Sequence, residues 1–114
     1  MLTGKFRIKS GRDFDEIKKK GKISQGNGFA VLVLKKPEQK YPRVGFIISK
    51  KVSNLATQRN RIKRAISEAV RYNFSRLADG YDIVFLATSD LVKRSTSEIM
   101  HDVEKFLDKC EFTK

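Results

Sequence analysis

Helix, two strands, helix, strand, helix is the order of elements read along the 114 residues, and it predicts one α+β domain, 1–114, a sandwich of helices packed on a small sheet. Three observations carry that prediction. Apolar runs of strand length occupy 28–34, 43–49 and 81–87. Between the second and third, Ile62, Ala65, Ile66, Ala69, Val70, Phe74 and Leu77 recur at helical spacing and form one stripe. Near the C-terminus, Ser95-Thr96-Ser97-Glu98 is a capping-box signature, followed by a second stripe of Ile99, Val103, Phe106, Leu107 and Cys110.

The elements follow in order. Phe6-Arg7-Ile8-Lys9 is expected to lie extended against the body. Ser10 is placed to cap a short helix, with Asp13 in its first turn, where a negative charge favours the helix dipole. Phe14 and Ile17 give that helix one apolar edge; Lys18, Lys19 and Lys20 crowd its end, and Gly21 stops it. The run 28–34 is almost continuously apolar, which suits a strand covered on both faces. Pro37 and Pro42 punctuate a polar turn, so 43–49 is expected to pair antiparallel with 28–34. A long helix then spans 57–77, and Asp79-Gly80 introduces the strand 81–87.

Charge narrows the function. Twenty-five Lys and Arg against thirteen Asp and Glu leave +12 on a small body, which implies a polyanion partner. A generally basic, well-solvated surface is the plainer alternative. No apolar stretch approaches the ~18 residues of a membrane span, and no apolar run follows Met1-Leu2-Thr3-Gly4-Lys5 as a signal peptide requires. The single cysteine, Cys110, cannot form an internal disulfide and is expected to be a small buried residue on a helix. A cytoplasmic protein is expected, with no membrane and no small-molecule substrate.

The charge is also clustered. Residues 49–64 hold six basic residues (Lys50, Lys51, Arg59, Arg61, Lys63, Arg64) and no acidic one. Four of them fall in the first turns of the long helix, where basic side chains oppose the dipole. Phosphates, held by guanidinium forks and free backbone N–H groups, would supply the missing negative charge. Asn60 adds an amide able to donate to a phosphate and accept from a 2′-hydroxyl. The plainer alternative is a solvated face with i,i+4 pairs, for which the one nearby acid is Glu68, four residues after Arg64. A second patch, Lys18-Lys19-Lys20 with Lys22, lies near Phe14 and could hold a single strand, the base stacking while lysines follow the backbone.

A stand-alone enzyme needs a base, a nucleophile or a metal cage. The one histidine, His101, is expected on the exposed side of the last helix beside Asp102. Asp79 and Asp82 flank a turn and are expected to serve turn chemistry. Asp13, Asp15 and Glu16 sit where a helix start favours acids. No Gly-rich phosphate loop or zinc spacing is present, and no catalytic or metal-binding residue is assigned.

With these residues in view, the chain resembles the bacterial ribonuclease P protein component along essentially its whole length. The signature is Arg59-Asn60-Arg61-Ile62-Lys63-Arg64, preceded by Ser49-Lys50-Lys51-Val52. Phe6-Arg7-Ile8, Asp13-Phe14, Gly21, Phe29, Arg43-Val44-Gly45-Phe46 and Asp82-Ile83-Val84-Phe85-Leu86-Ala87 support it. The resemblance implies a ribosomal-protein-S5-like α+β fold whose signature helix sits in a left-handed crossover, against the usual right-handed rule. It implies a holoenzyme in which an RNA subunit binds Mg²⁺ and hydrolyses the bond that releases the 5′ leader of precursor tRNA. By the same resemblance, Lys50, Arg59, Asn60, Arg61, Lys63 and Arg64 would contact the catalytic RNA. Phe14, Lys18, Ser49 and Lys51 would cradle the single-stranded leader, in a cleft between the sheet and the first helix. The chain departs from the family at Lys18, where a second aromatic is frequent, near Leu32, and in a slightly longer 53–58. A general or ribosomal-type RNA-binding protein without a processing role is the alternative.

Overall fold

The computed structural model describes residues 6–8, 11–110 and 113. Lys9, the proposed cap Ser10 and the segment 1–5 lie outside the described residues. The elements are α1 (Gly11–Lys20), β1 (Lys22–Gln25), β2 (Phe29–Lys35), β3 (Arg43–Ile47), α2 (Ala56–Tyr72), β4 (Tyr81–Ala87) and α3 (Thr96–Leu107). Short 3-10 turns at Phe74–Arg76 and Ser89–Lys93 flank β4.

The four strands are ordered β1-β2-β4-β3. β2 pairs antiparallel with β4 over its full length, from Phe29↔Ala87 to Lys35↔Tyr81, and β3 pairs parallel with β4. The expected antiparallel hairpin of β2 with β3 is therefore wrong. The connection 36–42 is longer than the usual two- to five-residue hairpin loop and carries the chain across the place β4 later fills. β4 takes the centre because it is apolar on both faces: Ile83, Val84 and Phe85 are all buried. The connection from β3 through α2 to β4 is thus a parallel crossover.

Alternation along the strands divides the core. Phe29, Val31, Val33, Val44, Ile83 and Phe85 meet the α2 and α3 stripes, including Ile62, Ile66, Val70, Ile99 and Val103. On the other face Leu32 and Val84 meet Ile8 and Ile17, with Phe14, Leu34, Ile47 and Leu86 packed around them. The strand covered on both faces and the two helical stripes are as the sequence predicts, except that Phe74, Leu77 and Cys110 pack on the core from beyond the helix ends.

Other boundaries move. β1 was not expected: Lys22-Ile23-Ser24-Gln25 is exposed throughout and carries no apolar signal, and it is recruited by hairpin geometry with β2. Gly28 makes that turn possible at φ +86°, a region that strains other residues. β3 stops at Ile47, so Ser49, Lys50 and Lys51 lie in the following turn, which closes through a Val52 N–H to Ser49 carbonyl bond of 3.0 Å. α2 stops at Tyr72 because Asn73 folds its side-chain amide back onto the Ala69 carbonyl at 2.8 Å. Gly21 ends α1 as expected, donating to the Ile17 carbonyl at 2.8 Å. The capping box of α3 is complete, with Glu98 N–H to Ser95 Oγ and Ser95 N–H to Glu98 Oε1 both 3.1 Å. Cys110 lies beyond the end of α3, half-buried, its thiol donating to the Phe106 carbonyl.

Candidate nucleic-acid interface

α2 begins without the devices that settle a helix N-terminus. Leu55 occupies the cap position with no side-chain hydrogen bond, and no acid stands in the first turn. The preceding loop is instead fastened by its own polar groups. Ser53 Oγ donates to Gln58 Oε1 at 2.6 Å, Leu55 N–H donates to Ser53 Oγ at 3.1 Å, and Arg59 Nη1 donates to the Ser53 carbonyl at 2.8 Å. The positive end of the helix dipole and the signature's cations thus point the same way, an arrangement that favours an anion.

The signature residues divide by position. Asn60 and Arg64 are exposed, and Arg59 and Lys63 half-buried. Arg61 is half-buried and shares the α2–α3 groove with Arg64, but its guanidinium is held by the fold. Its guanidinium donates to the Arg94 carbonyl at 2.9 Å and the Val92 carbonyl at 3.2 Å, fastening α2 to the Ser89–Lys93 turn. Arg94 in turn donates to Asp102 at 2.8 Å and to the carbonyl and side chain of Asn27, tying that turn to α3 and the β1–β2 hairpin. The sequence assigned Arg61 to RNA with its neighbours; in the fold its guanidinium also ties α2 to the turn before α3. Arg64 lines a groove between α2 and α3 with Thr57, Arg61, Ala65, Glu68 and Thr96. Glu68, its expected i+4 partner, pairs with Arg71 at 2.8 Å.

A second groove, of about 300 Å³, opens at the β3 edge of the sheet. Arg7 meets Val44 in a parallel bridge, and the Ile8 N–H donates to the Val44 carbonyl at 3.0 Å, so the N-terminal segment extends that edge. Phe14 from α1 and Lys63 from α2 complete the walls, with Gly45 and Phe46 as floor. Phe14 lies directly on Gly45: a Cβ there would stand 2.7 Å from the ring. Of the residues proposed for a leader, Phe14 lines this groove, whereas Lys18, Ser49 and Lys51 are exposed outside it. Lys63 joins Phe14, a meeting across two helices that spacing could not reveal.

What fixes α1, and so Phe14, is Asp82. Far from serving the turn, its side chain is fully buried. It accepts from Arg43 Nε at 2.9 Å and Nη2 at 2.7 Å, from Gln39 Nε2 at 3.0 Å and from Lys36 Nζ at 2.9 Å. Arg43 and Lys36 reach on to Asp13 (3.3 Å) and Glu16 (3.1 Å) of α1. Burial pushes the Asp82 carboxyl up, but the hydrogen bonds from Arg43, Lys36 and Gln39 outweigh it and hold the group below the ordinary carboxylate range. Arg43 is raised chiefly by its bond to Asp82. For Lys36, burial works downward, and the bonds to Asp82 and Glu16 overcome it. Asp79 stays exposed in the turn with Gly80, whose φ is +82°.

The residues considered for chemistry fall apart in space. His101 is exposed, and Asp102 is paired with Arg94. Among the described residues no three of His, Cys, Asp and Glu converge as a metal site, and no helix is long and apolar enough to cross a membrane. Exposed cations around two grooves make a surface suited to an RNA backbone.

Comparison with known proteins agrees. The family model described as Ribonuclease P matches residues 2–111. The ribonuclease P protein component of Pseudanabaena sp. is 33% identical over 97% of this chain and 96% of its own length. That of Finegoldia magna is 36% identical over 90% and 92%. Among solved structures, the Staphylococcus aureus RNase P protein superposes with a TM-score of 0.87 at 31% identity, over 96% of this chain and 98% of that one. The Thermotoga maritima RNase P protein gives 0.80 at 30% identity over 92% and 97%. The chain belongs to the ribonuclease P protein family, the protein subunits that work with an RNA subunit in the ribonucleoprotein that processes tRNA 5′ ends.

Proposed function

We propose that this chain holds the catalytic RNA with the α2 surface and the 5′ leader of precursor tRNA in the β3-edge groove. Arg59, Asn60, Lys63 and Arg64, with Lys50 in the preceding turn, bind the RNA subunit. Arg61 presents them by fastening α2. Phe14 offers a ring face to a leader base, while Lys63 inside the groove and Lys18, Ser49 and Lys51 beyond it follow the backbone. The observation that carries this reading is that Lys63, in the signature, and Phe14, four elements earlier in the chain, wall one groove. A strand lying there would be within reach of both nucleic acids at once.

The contribution to catalysis is positional and electrostatic. Cations that neutralise phosphates of leader and RNA subunit lower the repulsion between them and convert a bimolecular encounter into a held geometry. Mg²⁺ bound by the RNA subunit supplies the phosphodiester hydrolysis. We place the protein in the cytoplasm with that RNA. The test is reconstitution with a ribonuclease P RNA and 5′-labelled precursor tRNA at low Mg²⁺. Cleavage at the mature 5′ end by the mixture, with neither component active alone, is the expected result. RNA binding without stimulation of any ribonuclease P RNA would leave a general RNA-binding protein.

A further inference from the structure

The sheet has a second basic edge, opposite the groove that holds Phe14 and Lys63. Lys20, Lys22 and Lys35 are exposed and line one hollow of about 310 Å³ beside β1. Adjoining it at Lys22 and Val33, a hollow of about 450 Å³ is lined by Lys22 and Lys109 with Ser24 and Gln25. Among the described residues no carboxylate lines either hollow. Lys36 shows what neutralisation looks like here, its ammonium shared between Glu16 and Asp82. Its neighbour Lys35, with Lys20 and Lys22, has no ion-pair partner among the described residues. β1 is the outermost strand, and Ile23 is 58% exposed, so nothing described covers this edge.

We propose that the β1 edge is a second phosphate-binding surface, which grips the backbone of the RNA subunit while the α2 surface grips it elsewhere. The proposal rests on the reading that the chain binds ribonuclease P RNA. Lysines are compact, rotatable charges suited to phosphates rather than to base edges. Three strand spacings, about 14 Å, separate β1 from β3. A leader seated in the β3-edge groove would have to leave it and cross the sheet to reach these lysines. A folded RNA larger than this domain of 38 × 28 × 25 Å meets both edges without leaving either.

The test compares two triple variants of the full chain for binding to ribonuclease P RNA from about 50 to 200 mM salt. One is Lys20→Ala with Lys22→Ala and Lys35→Ala. The other, a control of equal charge, is Lys40→Ala with Lys93→Ala and Lys105→Ala. All six are exposed, and circular dichroism checks folding. Each lost phosphate contact lowers the slope of log affinity against log salt by about 0.9, so the first triple is expected to lower it by about 2 to 3. The control should lower it by less than about 1. Equal changes in the two triples would overturn the proposal. So would an unchanged slope in the first triple where Arg64→Ala still weakens binding, although the function proposed above would then stand. A loss confined to precursor tRNA would give the lysines to the substrate and also overturn it. Failure of the unaltered chain to bind the RNA would remove both readings.

Discussion

Replacing Asp82 with asparagine keeps the size of the side chain and deletes its charge, leaving Arg43 and Lys36 converged on a neutral amide. Breaking a buried ion pair from one side costs about 3–5 kcal/mol. The lower end applies here, because Arg43 and Lys36 keep Asp13 and Glu16 at 3.3 and 3.1 Å and retain some exposure to water. With an unfolding entropy near 2.1 cal/mol/K per residue, one kcal/mol shifts the Tm of a chain this size by about 4 °C, so Asp82→Asn should melt about 12 °C lower. The pH dependence is more diagnostic. The folded Asp82 carboxyl lies below its ordinary value, so its stabilisation is complete above the unfolded carboxylate range, about pH 4, and is lost as pH falls through the folded value. Thermal melts followed by circular dichroism at pH 7, 5 and 2.5 should show a full gap at the first two and a smaller one at the third. A variant melting within about 2 °C of the parent at pH 7 would refute the clamp, as would a gap unchanged at pH 2.5. Because the clamp holds α1, the variant should also lose affinity for a 5′ leader more than for the RNA subunit.

Four further outcomes are expected. Arg61→Ala should lower stability by about 1.5–3 kcal/mol in urea unfolding, the cost of hydrogen bonds from a charged donor. Arg64→Ala should leave stability within about 0.5 kcal/mol but weaken RNA-subunit binding and reduce its salt slope by about 1. Phe14→Ala should cost about 1–3 kcal/mol in binding precursor tRNA and leave mature tRNA unaffected in the same equilibrium assay, since the mature form has no leader to stack. Ser95→Ala removes one half of a complete capping box and should cost about 1 kcal/mol, read as a lower urea midpoint with an unchanged m-value.

Much of this molecule is legible in its sequence, and the illegible parts share a cause. Patterns along one segment report what that segment buries, so 29–35, 81–87 and the α2 and α3 stripes could be read locally. The capping box could too, because both of its partners lie within one turn. Strand order could not: the polar loop with Pro37 and Pro42 looks like a hairpin, and only the two-faced apolarity of β4 hints that it belongs in the middle. β1 carries no pattern, because an exposed edge strand has nothing to bury. Asp82 looked like a turn residue because its ligands, Lys36, Gln39 and Arg43, sit some forty positions earlier. The basic signature announced itself as a charge run, yet a charge run cannot say which of its members also ties the helix to the fold, as Arg61 does.

The central place of β4 also orders events as the chain is made. The sheet's two earlier partners, β2 and β3, touch only through a strand that leaves the ribosome after both of them and after α2. Until residue 87 has emerged, β2 and β3 each lack the partner strand that joins them, while the most basic of the described helices has already been made. Beyond the local β1–β2 hairpin, the domain therefore completes its sheet by one late, long-range closure. Release of a chain cut short before β4 would leave a cationic helix with no platform to carry it.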